Sequence, residues 1–441
     1  MTSRSTESIQ TQPPFGSVPI LKLLIYTYVV VSPFFIFSVV FSRDFPSFWV
    51  IVILFLLIVV EVARGGGKVC YDRTMLYLAL LFSAYVINTL AILFEEPLYT
   101  WAGRTPLDRA IGLDIRLMYC FLAFCIFMYV LFRVDEGVFR RLFQIQLMIG
   151  VLIALFGITQ FLLYTVFGST ALTGIESTNE TFQRKSTFAP LGVTKVFRSS
   201  SIFSEPSYFG FYLVPLIVKG VISWVKNYVI FSKVFDLSIL VIFVVALTVN
   251  FSLTALLSLA IVLFFFSVKN LSKNPQMALW TIIICVLIAS VVFFSPLGDA
   301  VASRLAKVFE LADPSTVDRF VRAYAGLIVF LQHPWFGAGP GIFAFIYPKI
   351  GFLVERTLMH SPLNVWFTIL TDVGLIGIVP FLLFLRRVLR MARGAFGKYP
   401  LVEICFWSVI SYLVLLTTVD FWFLDIFWFE LAGLVSISQI D

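Results

Sequence analysis

The chain has 441 residues, of which 60% are hydrophobic and 13% charged, with a formal net charge of +7. That balance excludes a water-soluble globular protein, because a chain so poor in charge is suited to lipid rather than water. The positive charge lies mostly on short loops between apolar runs, where it reads as membrane orientation and contact with anionic headgroups rather than as a nucleic-acid footprint.

Residues 1–18 read as a polar cytoplasmic tail. The first apolar run, 19–41, is too long for a signal-peptide core and is followed by no small-residue cleavage pattern, so it stays in the membrane. Further runs follow at 46–63, 74–94, 110–132, 142–167, 206–225, 234–268, 277–297, 361–385, 402–419 and 421–438. The run 234–268 is too long for one crossing, and Asn250 and Ser252 near its middle predict a tight hairpin of two helices. The expectation is an all-α polytopic membrane protein with about twelve transmembrane helices. Apolar runs from end to end leave no room for a soluble domain, so 19–441 is read as a single transmembrane domain.

With the N-terminus cytoplasmic, the loops carrying Arg64, Lys68 and Arg73, then Arg133, Arg140 and Arg141, then Lys226 and Lys233, then Lys269 and Lys273, all fall inside. The most basic loop, with Arg386, Arg387, Arg390, Arg393 and Lys398, falls there too, and so does the C-terminus. Two long loops, near 168–205 and 298–360, then face outward, and both carry bases against the usual bias. Loops this long cross regardless of charge, so their bases ask for another role, and binding an anion is the simplest.

The first long loop contains Arg184, Lys185, Lys195 and Arg198 and ends in "FRSSSIFSEPSYFG". The second contains Arg304, Lys307, Arg319, Arg322, Lys349, Arg356 and both histidines of the chain, His333 and His360. Within it, Ser315 and Asp318 resemble a capping box, and Phe320, Val321, Tyr324, Leu327, Ile328 and Leu331 recur at helical spacing. This predicts an amphipathic helix on or near the membrane surface, with Arg319 and Arg322 on one face and Asp318 placed to pair with Arg322. The helix ends at "QHPWFGAGPGIF", where Pro334, Gly337, Gly339, Pro340 and Gly341 force a sharp turn back toward the membrane.

Arginine suits a phosphate or pyrophosphate because its planar fork donates two parallel hydrogen bonds and keeps its charge. Arg198, Arg319 and Arg322 are the candidates for such a clamp, against the plainer reading of contact with lipid headgroups. His360, at the start of the next helix, is the candidate general base; a lone interfacial histidine is by composition more often structural, and His333, before a proline, reads as structural. Glu205 before Pro206 either answers the helix dipole or orients a hydroxyl. Asp114, Arg116, Lys219 and Asp236 fall inside apolar runs but near enough to their ends to snorkel outward. There is no H-E-x-x-H, no paired-cysteine metal spacing, no Walker loop, and no cysteine on either long loop, so no disulfide framework or thiolate metal site is expected, and neither zinc hydrolysis nor ATP-driven export finds support.

The stretch "DRFVRAYAGLIVFLQHPWFGAGPGIF", followed by "MHSPLNVWFTILTDVGLIG", resembles the signature region of the O-antigen polymerase and O-antigen ligase superfamily, bacterial membrane glycosyltransferases of the GT-C type. In that pattern an arginine precedes the proline of a glycine-rich turn by about four helical turns, and a histidine follows at the next helix. Arg319 matches the arginine, Pro334, Gly337 and Gly339 the turn, and His360 the histidine. "FSEPSYFG" around Glu205 is similar to a polymerase segment. Ligases favour a fixed spacing from the histidine to a following glycine; here Gly374 comes three residues late and Asn364 takes the expected spacing, which favours a polymerase.

The resemblance implies a bacterial inner-membrane enzyme that joins undecaprenyl-pyrophosphate-linked repeat units into O-antigen, capsule or exopolysaccharide on the periplasmic side, without nucleotide or metal. His360 or Glu205 would take the acceptor proton, the arginines would hold the pyrophosphate, and membrane lipid, a flippase and a chain-length regulator would be its partners. The alternatives are the ligase that moves the finished polymer to lipid A-core and, from another class, a flippase or exporter of the same lipid-linked sugars. A transporter should carry ionisable residues near the midplane between internal repeats, whereas here they concentrate on outward loops.

Overall fold

The computed structural model describes residues 18–34, 46–63, 73–94, 105–169, 172, 188–191, 194–272, 274–294, 302, 306, 310, 314–350, 361–420 and 422–439. His360, Arg184, Lys185, Arg304, Lys307 and Arg356 lie outside the described residues. A helix stands on every predicted apolar run: α1 Val18–Val31, α2 Pro46–Ala63, α3 Arg73–Ile92, α4 Pro106–Leu131, α5 Glu136–Phe167, α6 Pro206–Val225, α7 Lys233–Asn250, α8 Leu253–Leu271 and α9 Pro275–Phe294. After these come α10 Pro314–Gln332, α11 Phe343–Ile350, α12 Val365–Gly394, α13 Pro400–Leu415 and α14 Asp425–Ile437. The first long loop adds one small antiparallel hairpin to this helical chain, β1 Phe188–Leu191 and β2 Thr194–Phe197, with Phe188 opposite Phe197.

Among the described residues, eight helices, α2 to α8 and α12, are long and apolar enough to cross a membrane, and α1 and α13 are shorter apolar helices. The chain is therefore a multi-pass membrane protein. The run 234–268 folds back where its polar pair predicts: α7 ends at Asn250, Phe251 turns through a left-handed φ of 51°, and Ser252 precedes α8. The Asn250 amide donates to the carbonyls of Ser199 at 2.9 Å and Pro206 at 2.7 Å, which fastens the end of the first long loop to this hairpin tip.

At the centre stands α6, buried at most positions from Pro206 to Ser223 and packed against α7, α8 and α13. Gly210 permits the approach to α8, since a Cβ there would lie 2.6 Å from that of Ala255. A second group pairs α12 with α3 and α4 with α14. Ile53, Leu56 and Val59 on α2, Leu257 and Phe264 on α8, and Ile376, Val379 and Leu382 on α12 remain exposed. Apolar rows of this kind on spanning helices are the surface offered to lipid.

One end of the bundle is tied by polar contacts among the basic loops. Lys22 lies 3.9 Å from Asp135, Arg133 pairs with Glu61 at 2.8 Å, and Arg140 donates to the carbonyls of Val229 and Ile230 at 3.0 and 3.2 Å. Glu403 takes Lys226 at 2.5 Å and Lys269 at 3.0 Å. These contacts gather, at one end, the loops that the charge bias assigns to one side.

The snorkelling expectation needs correction at Lys219. Lys219 is buried, its side chain 3% exposed, and donates to Gln146 Oε1 and Glu430 Oε1, both at 2.5 Å. Asp236 instead accepts the Ile230 and Phe231 amides at 2.9 and 3.1 Å, closing the loop before α7. Asp114 turns toward Thr89 of α3, and Arg116 lies 5.5 Å from the Phe423 ring centroid on the connection before α14. Depth along a run is readable from one helix alone; a partner supplied by another helix is not.

Candidate functional site

The opposite end of the bundle holds Arg198, Glu205, Arg319 and Arg322 of the predicted site residues, and its first wall is built by serines. Ser199 Oγ donates to the Gly157 carbonyl at 2.8 Å, and Ser201 Oγ to that of Ile153 at 2.7 Å. Gln160 accepts the Ser201 amide at 3.0 Å and donates to its carbonyl at 3.1 Å. Ser201 adopts a φ of 51° in the process. The segment between β2 and α6 is thereby wedged against α5 with its backbone groups satisfied, which fixes Arg198 at its start and Glu205 at its end. Glu205 occupies the N-cap position of α6 without capping it; its carboxylate accepts from Ser207 Oγ at 3.0 Å.

The second wall is α10 and the turn after it. The expected pair forms, with Arg322 Nε 2.9 Å from Asp318 Oδ1. The side chains of Pro314 and Ser315 lie outside the described residues, so the capping box does too. The predicted apolar face divides: Val321, Ala325 and Val329 pack with Phe343 and Tyr347 of α11, while Phe320, Tyr324 and Leu331 stay exposed. Gly326 meets the start of α12, where a Cβ would lie 3.2 Å from Pro362 and Phe367. Arg319, seven residues earlier, falls on the same side of the helix about two turns away.

The glycine-rich turn plugs into a break in α12. Gly374 has φ 60° and ψ −153°, outside helical space, and the amides of Leu375 and Ile376 donate to the carbonyls of Pro334 and Trp335 at 2.9 and 3.1 Å. In return the Ala338 and Gly339 amides donate to the carbonyls of Thr371 and Asp372 at 2.7 and 3.2 Å. A Cβ on Gly374 would sit 2.5 Å from the Trp335 oxygen, and one on Gly337 would sit 2.6 Å from the Asp372 carbonyl carbon, so neither tolerates a side chain. Asp372 secures the joint, accepting the Gly341 amide at 3.0 Å and the Tyr85 hydroxyl at 3.3 Å, while the Asn88 amide donates to the Phe336 carbonyl.

Between the two walls lies Asp420, on the connection from α13 to α14. It accepts from Thr368 Oγ1 at 3.2 Å and from the Ser361 hydroxyl, while its Oδ1 is enclosed with no hydrogen-bond partner among the described residues. Burial pushes its carboxyl up to about 6, against the pull of those two hydroxyls and the Arg116 charge. The charges of Glu205 and Asp420 both reach the Tyr208 phenol, which brings the first wall and this connection together. Asn364 is a cap: it accepts the Phe367 amide at 3.2 Å and donates to the Thr417 carbonyl at 2.8 Å.

The structure therefore joins Glu205, Asp420, Ser361 and the α10 contact at Pro362 into one neighbourhood, with α10, which carries Arg319, at its side, while Arg322 is paired with Asp318. His360 adjoins Ser361 in sequence but lies outside the described residues. Exposed His333 serves through its backbone, its carbonyl accepting the Gly337 amide at 2.9 Å. Asp420 escaped the sequence reading because it stands in the one-residue gap between two apolar runs; a carboxylate at such a junction is the signal that was available. No group of three His, Cys, Asp or Glu side chains able to hold a metal ion occurs among the described residues.

Residues 238–382 match the family model described as O-Antigen ligase. The match runs from α7 into α12 and includes α10, the glycine-rich turn and Gly374, which supports the O-antigen polymerase and ligase superfamily. No curated protein matches the chain.

Proposed function

Starting from this O-antigen polymerase and ligase resemblance, we propose that the protein polymerises undecaprenyl-pyrophosphate-linked repeat units on the periplasmic face of a bacterial inner membrane. The reading takes the basic-loop end as cytoplasmic, with both termini, about twelve crossings and one transmembrane domain. The observation that carries it is the packing of α10 against Pro362, which sets an arginine-bearing helix beside the Ser361–Asp420 carboxylate site.

In this scheme Arg319, Arg322 and Arg198 hold the pyrophosphate of the donor and offset the charge that grows on it as the glycosidic bond breaks. The acceptor hydroxyl of the second repeat unit attacks the anomeric carbon, and its proton passes to a carboxylate or imidazole. His360, Glu205 and Asp420 are the groups placed for that transfer. Asp420, with its carboxyl at about 6, is ionised at neutral pH and still close enough to it to exchange a proton. The apolar surfaces between helices receive the polyprenyl chain, and the scheme needs neither nucleotide nor metal.

The second reading is the ligase that transfers the polymer to lipid A-core, favoured by the description of the matching family. A gel of surface polysaccharide from a strain lacking the protein separates the two. Single repeat units on the lipid core, with no ladder, support the polymerase. Long polymer retained on its carrier supports the ligase, and normal polysaccharide removes both.

A further inference from the structure

The contacts of the glycine-rich turn fix how deep it reaches. Phe336 is held by Asn88, four residues before the end of α3, and Asp372 by Tyr85, seven before that end. At about 1.5 Å per residue these levels lie roughly 6 and 10 Å inside the end of α3. The α12 break at Gly374 stands nine residues past Val365, roughly 13 Å along its helix by the same rise. Both α3 and α12 are long and apolar enough to cross a membrane. Pro334 to Phe336 therefore sit below the rim of the bundle, at a depth where irregular backbone survives only if the protein satisfies its polar groups, while Gly339 and Gly341 rise to Ile92 and Arg109 at the ends of α3 and α4. The four backbone hydrogen bonds across the Gly374 break do this.

The outer face of the same hairpin is apolar. Phe320, Tyr324 and Leu331 fall on one side of α10, and Trp335 and Phe336 extend that row into the turn, all of them exposed. Trp335, 64% exposed, is bonded through its carbonyl to Ile376, itself 42% exposed and the first of the outward row Ile376, Val379 and Leu382 on α12. The exposed row of the hairpin is thus continuous with the lipid-facing row of a spanning helix. Asp318 and Arg322 are turned away from it, toward α11, where both act on the Tyr347 hydroxyl.

We propose that α10, the turn and α11 form a re-entrant hairpin set into the outer half of the membrane, its Phe320, Tyr324, Leu331, Trp335 and Phe336 edge in contact with lipid hydrocarbon. A helix lying flat on the surface, as the sequence suggests, would leave its following turn at the rim rather than at the level of Tyr85 and Gly374. The placement rests on the multi-pass fold and not on the chemistry proposed above.

Nitroxide labels test it in the full chain, reconstituted in phosphatidylethanolamine and phosphatidylglycerol vesicles. Single cysteines are introduced as Leu331→Cys and Trp335→Cys, with Leu382→Cys and Arg393→Cys as references, after replacing the native cysteines by alanine. Labels at 331 and 335 should match 382, colliding with oxygen several-fold more often relative to an aqueous nickel chelate than the label at 393 does. A ratio like that at 393 places the hairpin in water and overturns the proposal, and low collision with both reagents means a protein covers it, which also overturns it. If the cysteine-free chain fails to fold, the wild-type protein and Trp335→Phe are compared in vesicles of acyl-brominated lipid. Loss of a quenchable component in the variant supports insertion, and no difference between the two contradicts it.

Discussion

The Lys219 cluster and the Asp420 site both take charge out of water, and they finish the task differently. In the interior, Lys219, Glu430 and Gln146 close on one another: the lysine donates to both partners at 2.5 Å and the Gln146 amide donates to Glu430 at 2.8 Å. At the far end, Asp420 is given two hydroxyl donors and keeps an enclosed oxygen with no partner among the described residues. A saturated cluster spends its charge on itself and serves the fold, whereas an acceptor left over in a polar site is a place for a proton or a ligand. The contrast supports a structural role for the first and agrees with the chemistry proposed above for the second.

The largest effect expected from breaking this comparison lies in the interior. Lys219→Met leaves Glu430 buried without its cation and should lower stability by about 3–5 kcal/mol, read as the thermal midpoint in detergent. Adding Glu430→Leu should restore much of that loss, because an apolar pair of similar volume tolerates the site. A double variant no better than the single one would mean that the pair does more than satisfy itself.

At the open end the effects should appear in turnover. Asp420→Asn should reduce polymer formation by about 10²-fold if the group accepts the acceptor proton. With a carboxyl at about 6, wild-type activity should fall as pH drops through that value, because protonation removes the base, and the variant should lose this acid limb. An unchanged limb would shift the role to Glu205 or His360. Arg319→Lys should cost about tenfold, less than the roughly 10²-fold of removing a charge-stabilising donor outright, since a point charge replaces a fork. Protein level should not change, and near-normal polysaccharide would take Arg319 out of the site. The smallest effect is expected for Thr368→Val, which removes a donor to the ionised Asp420 and should raise the acid limb by less than about one unit.

The same contrast explains what was legible beforehand. Hydropathy is local, so the apolar runs, the fold-back at Asn250 and Ser252, and the Asp318–Arg322 pair four residues apart could all be read from neighbouring letters. Lys219 and Glu430 stand 211 positions apart, and no local pattern distinguishes a lysine that reaches a headgroup from one that reaches another helix. The serines before α6 look like loop composition until Gly157, Ile153 and Gln160 are seen to receive them. Asp420 belongs to the site only because Ser361, Thr368 and Arg116, from two other parts of the chain, converge on it.

The break in α12 bears on the order in which the protein is made. Residues 334–341 leave the ribosome before α12 does, and α3 long before either. When α12 enters the bilayer, the Pro334 and Trp335 carbonyls that take the Leu375 and Ile376 amides have already been synthesised. A helix carrying such a gap would be a poor candidate for insertion alone, and vectorial synthesis delivers its complement first.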